Sequence, residues 1–205
     1  MYERTQQLKD PASPIYGCDA FWNTFWNLNQ LWALATPDIM NKWVESLLEY
    51  YRVGGWLPNG PPGGEYCDIM GAQHEIPLMV SAYQKGIRNY DVDKAYEAVK
   101  KTLTTQGTAL SSGGIVGNRH LDVYLKYGFV PYGEKSHHNV FGTTYEGPTS
   151  NTLEYAFDDW NAAQFAKALG YEEDYDYFTR RAYNYKNVFD SETKYVRPKY
   201  SDGTW

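Results

Sequence analysis

Thr152-Leu153-Glu154-Tyr155-Ala156-Phe157-Asp158-Asp159-Trp160 lies inside a stretch whose spacing predicts a helix from Ser150 to Leu169, closed by Gly170 as its C′ residue. Positions three and four apart share a helix face, so Leu153, Phe157, Trp160 and Gln164 form one stripe and Glu154, Asp158 and Asn161 form its neighbour. Glu154 and Asp158 then stand one turn apart as like charges. A nearby carboxylate raises the pKa of its neighbour, the adjustment that lets a glutamic acid hold a proton near neutral pH and act as a general acid, with Asp158 tuning it. A second reading uses the same residues. Asn151 followed three positions later by Glu154 is a capping-box pattern, in which Glu154 reaches back to the helix start. A capping glutamate is exposed, whereas a catalytic one lies in a cleft.

Outward from this helix, the rest of the chain is also dominated by helical periodicity. After the Thr36-Pro37 start signal, Ile39, Trp43, Leu47, Tyr50 and Tyr51 share a face from Asp38 to Tyr51, and Val53-Gly54-Gly55 ends the run. Further helices are predicted over Gln73–Ile87, from Asp91 through Leu103, over Asn118–Tyr127 and over Asp174–Phe189. Trp56 to Tyr66 holds Pro58, Gly60, Pro61, Pro62, Gly63 and Gly64 and must be a loop, long enough to suggest function more than connection. No strand-like alternation persists long enough for a large sheet. The expected class is all-α, with antiparallel helix pairs in a layered or toroidal array.

Composition limits the function. The chain has 205 residues with 42% hydrophobic and 21% charged, so it can bury a core and is not disordered; no apolar run approaches the roughly 18 residues of a membrane span. A net charge of -6 without a local Lys/Arg cluster argues against nucleic acid. Aromatics are the outlier, with 7 Trp, 20 Tyr and 8 Phe; rings with polar tips suit sugar recognition, and they also suit ordinary cores. Cys18 and Cys67 allow one disulfide without a CxxC or Cys/His metal spacing. Residues 1–16 read as an extension or linker without a signal-peptide core, and Lys199 to Trp205 ends on a turn and an aromatic, so the expectation is a fragment of one domain.

Several ordered blocks together resemble the catalytic domain of glycoside hydrolase family 92, the calcium-dependent exo-acting alpha-mannosidases. Phe21-Trp22-Asn23-Thr24-Phe25 is similar to the family's Trp-Asp-Thr-Phe segment, and Ser46-Leu47-Leu48 through Gly55-Trp56-Leu57-Pro58 to its helix and Gly-x-Leu-Pro loop. Met70-Gly71, Ala82-Tyr83-Gln84-Lys85-Gly86-Ile87 and Tyr127-Gly128-Phe129-Val130-Pro131 follow in order, then the Thr152–Trp160 motif, Ala166–Gly170 and Arg180–Tyr185. The resemblance implies an incomplete (α/α)6 toroid over residues 1–205, inverting removal of terminal alpha-linked mannose, a role in N-glycan degradation, bound Ca2+, and a secreted, periplasmic or cell-surface location. It places Glu154 at the family's general acid. The family's base comes from a later Gly-Asn-Asp-type motif that these residues lack, so isolated 1–205 is expected to be inactive.

Two departures bear on the sugar. Asn23 replaces the family's aspartate, and Trp26 stands where an arginine is frequent, so another inverting (α/α)6 glycosidase stays open, as does a non-catalytic carbohydrate-binding or scaffold domain. Trp22, Phe25 and Trp56 are candidate stacking platforms, or core; Asp68 and His74 are candidate hydroxyl partners, or a helix cap and a satisfied histidine. His137-His138 lacks a third ligand, and the metal ligands are unassigned.

Overall fold

Local rules start and stop the helices much as the sequence suggests. The computed structural model describes residues 15–18, 20–61, 66, 71–110, 115–134 and 147–205. A 3₁₀ turn, Thr24–Trp26, leads into α1 (Leu28–Ala35), which the periodicity did not reveal, and then α2 (Pro37–Gly54). Pro37 opens α2 at the position where a missing N–H is harmless, and Gly55 closes it in the left-handed conformation. After α3 (Glu75–Gln84) comes α4 (Val92–Thr104), capped by Asp91 accepting from the Lys94 N–H at 2.9 Å. The short α5 (Leu121–Tyr127) precedes α6 (Pro148–Leu169) and α7 (Glu172–Ala182). Two antiparallel two-residue ladders, β1–β2 (Thr108–Ala109 with Ile115–Val116) and β3–β4 (Phe189–Asp190 with Tyr195–Val196), are the strand pairs among the described residues.

Several boundaries differ from expectation by one to three residues, and three differences bear on the argument. The Asp174–Phe189 helix is α7 followed by 3₁₀ turns from Tyr183 to Val188, and the Asn118–Tyr127 helix begins only at Leu121. The main helix starts at Pro148, with Gly147 as N-cap, so Asn151 is already inside it and donates its own N–H to the Gly147 carbonyl. The capping-box reading of Asn151 and Glu154 therefore fails.

Burial sorts the helices into two kinds. α2, α4 and α7 have one buried face and one charged face, whereas α3 and α6 bury residues around most of their circumference. A helix covered on nearly all sides is an inner element. α3 packs on α6, α2 covers α3, and α4 and α7 cover α6. Their shared core includes Met40, Leu47, Ile76, Met79, Val99 and Phe165. A second cluster joins Leu121 and Tyr124 of α5 to Tyr155 of α6. The result is the all-α arrangement of inner and outer helices expected of a partial (α/α)6 toroid.

Candidate active site

The inner helices α3 and α6 set the site. α6 carries Glu154 near its first turns, and the loop before α3 delivers His74 at that helix's N-cap. This loop is tied at successive residues. Asn59 Nδ2 donates to the Ala72 carbonyl, holding Ala72 in a left-handed conformation at φ 70, and the Gln73 N–H donates to Asp158 Oδ2 at 2.7 Å. At Gly71 a Cβ would lie 2.5 Å from Asn151 Oδ1, so a larger residue there would have to displace the Asn151 side chain. The loop is thereby fixed to α6, the helix that bears Glu154.

The outcome is a close pair: His74 Nε2 lies 2.8 Å from Glu154 Oε2, with the His74 side chain 2% exposed and that of Glu154 26% exposed. Phe25 meets the imidazole edge-on at 5.3 Å and 89°, Phe157 meets it at 5.9 Å and 84°, and the two phenyl rings are 4.4 Å apart. Such edge contacts hold a ring against rotation. His74 is thus locked, while the Glu154 carboxyl retains access to solvent.

Burial alone would lower the His74 pKa, but the contact with Glu154 and the charges of Asp158 and Glu154 carry it above the usual histidine value. Asp158 is wholly buried, and burial pushes its carboxyl up to about 7 against the opposing influence of His74 and the Gln73 N–H. Its direct contact is with the loop backbone, so its geometric contribution to the acid passes through His74. Asp159, the next residue, belongs elsewhere: Arg181 reaches both its oxygens, at 2.7 and 3.1 Å, and the Tyr124 hydroxyl donates to it at 2.8 Å.

Of the sequence candidates, Glu154, His74, Phe25 and Asp158 are brought together. Asn23 sits at φ 69 just before the 3₁₀ turn, a left-handed conformation asparagine tolerates, and Trp22 beside it is exposed. Trp56 goes to another place, packing with Tyr50, Tyr66 and Val116 under the Lys101 ammonium, 4.9 Å from its ring. Its stacking with Lys101 and its neighbours is that of a packed residue. Asp68, Cys67 with its pairing to Cys18, and His137-His138 lie outside the described residues. Phe157 was missed as a site residue, although its position three after Glu154 contained the information.

Beyond the aromatic pair, α1, α3 and α6 border a groove of about 490 Å³, walled by Phe25, Phe157 and Trp160 and lined with amides such as Asn29, Gln84 and Asn161. Among the described residues no three His, Cys, Asp or Glu side chains converge as a metal set. The described residues thus offer no carboxylate-rich cluster of the kind a calcium ion prefers. No described helix is long and apolar enough to cross a membrane.

Known proteins resemble this chain in sequence and fold. An uncharacterized secreted glycosidase of Arthroderma benhamiae is 27% identical over 214 residues, covering 91% of this chain and 27% of that protein. Among solved structures, an inverting family 92 mannosidase from Bacteroides thetaiotaomicron superposes with a TM-score of 0.79 at 29% identity, over 93% of this chain and 24% of that one. A family 92 alpha-mannosidase from the same organism, also solved in complex with mannoimidazole, gives 0.75 at 30% identity, over 90% of this chain and 22% of that one. The chain thus spans about a quarter of the length of these relatives. The family model for the glycosyl hydrolase family 92 catalytic domain matches residues 1–205, and the chain belongs to that family.

Proposed function

We propose that this chain is part of a glycoside hydrolase that removes terminal alpha-linked mannose with inversion, and that Glu154 is its general acid. The observation that carries the reading is the partly exposed Glu154 carboxyl, backed by a buried histidine that Phe25 and Phe157 flank. A general acid needs one face towards the leaving oxygen and a partner that governs its proton. The likeness to two mannosidases supports mannose as the sugar, and a glycan rich in alpha-mannose as the substrate.

Inversion requires a second carboxylate about 6.5–9.5 Å from the first, with room for water between them. Asp158 is buried against the loop backbone and Asp159 is held by Arg181, so neither serves as that base. We assign the base elsewhere in the full-length protein. Calcium is what the family implies, and an extracytoplasmic location follows the secreted relative.

The direct test is the anomer released. The full-length protein acting on methyl alpha-mannoside, followed by proton NMR, should show beta-mannose first, with the alpha anomer appearing only through mutarotation. Initial alpha-mannose would refute inversion. Turnover of an alpha-glucoside panel but not of any alpha-mannoside would refute the sugar assignment and favour the rival expectation raised by Asn23 and Trp26.

A further inference from the structure

We propose that His74 is a positioning residue that acts through Glu154, storing the proton Glu154 delivers and setting the alkaline limit of hydrolysis. The inference rests on the assignment of Glu154 as the acid and goes beyond it by placing the resting proton on the imidazole.

The geometry puts the two side chains in direct contact. Nε2 lies 2.8 Å from Oε2, the imidazole is almost fully covered, and Phe25 and Phe157 pack edge-on against it. The titratable groups facing His74 among the described residues are Glu154 and Asp158 from α6, with wholly buried Glu75 next to it on α3; the Thr24–Trp26 turn contributes none. Asp158 holds the loop through the Gln73 N–H, and its charge adds to the pull on a proton at His74.

The step balances with a single proton. In the resting pair the proton is on Nε2 and Glu154 is a carboxylate. As the leaving oxygen docks, the proton crosses from Nε2 to Oε2, leaving neutral imidazole and a carboxylic acid. Rotation about Cγ–Cδ exchanges the two carboxyl oxygens, and the acid gives its proton to the glycosidic oxygen as the bond to the anomeric carbon breaks and that oxygen keeps the electron pair. The incoming water loses a proton to the base, and solvent reprotonates His74. The pair remains competent until its last proton leaves. That proton belongs to a group raised above the usual histidine value, where a solitary glutamate would have lost it near its own much lower value.

The test uses the full-length protein and the pH dependence of kcat/KM on an alpha-mannoside with a poor leaving group. His74→Gln should move the alkaline limb down by about two pH units, towards the ordinary glutamate range, while activity at the acid end persists. An unmoved limb overturns the proposal. Because His74 is buried, a second measurement avoids dependence on that variant: the imidazole ¹⁵N shifts of His74 are titrated in the unmodified protein and in Glu154→Gln. Loss of the carboxylate should lower the His74 midpoint; an unchanged midpoint also overturns the coupling. The Glu154 assignment fails separately, if Glu154→Gln hydrolyses the same substrate at the unmodified rate.

Discussion

Glu154→Gln in the full-length protein should lower kcat/KM for an alpha-mannoside with an alkyl or sugar leaving group by roughly 10²–10⁴-fold, while hydrolysis of 2,4-dinitrophenyl alpha-mannoside falls far less. The contrast arises because dinitrophenolate leaves without a proton, so only the poor leaving group needs the acid. Gln has nearly the same shape as Glu, and the half-open position of Glu154 spares the core from a volume change. Equal losses on both substrates would mean that the residue organises the site without donating a proton. No loss on either would remove it from the chemistry and favour a binding module. The pH dependence adds a sign: the intact pair loses activity as pH rises through the raised His74 pKa, whereas below that range the proton is present.

The sequence made the helices legible and misread one of their faces. Helix limits could be read where caps are local, as with Pro37, Asp91, Gly55 and Gly170. They differ where 3₁₀ turns extend a helix without changing its periodicity, as after Ala182, or where a helix begins earlier than expected at an N1 proline, as at Pro148. Within α6 the apolar stripe suggests the buried face, yet Trp160 is exposed and Phe157 is half-buried beside the groove, while Asp158, Asp159 and Thr152 of the polar positions are fully covered. In an inner helix every face meets another element, so hydropathy alone cannot choose the core side. The motif singles out Glu154, to which the proposed acid role falls. His74, eighty positions earlier, reads from the sequence as a hydroxyl partner or a satisfied histidine, because its contact with Glu154 is made by folding. For Trp56 the sequence leaves platform and core both open, and the fold packs it against Lys101 and a small aromatic cluster.

The largest stability effect should come from the polar pair that the active site does not use. Arg181→Met should destabilise the fold by about 3–5 kcal/mol, since it leaves a wholly buried carboxylate without its counter-ion. For a chain of this size that corresponds to a fall in Tm of roughly 10 °C. The pair joins three elements: Asp159 from α6, Arg181 from α7 and Tyr124 from α5. Burial pushes the Asp159 carboxyl up, and Arg181 and Tyr124 oppose it. Without Arg181 the folded-state pKa rises further above the unfolded value. A carboxyl raised in this way contributes its stability at low pH and loses it as pH increases through the folded pKa, so the gap between variant and parent should widen from pH 5 to pH 8. Replacing both partners, with Asp159→Leu and Arg181→Met, should recover most of the loss, because no charge is then stranded and the Tyr124 hydroxyl can still donate to the Arg181 backbone carbonyl, 3.2 Å away. Thermal melts of the two single variants and the double variant across that pH range check the argument, and a double variant no more stable than the singles would show that the pair itself, with its geometry, is what the three helices require.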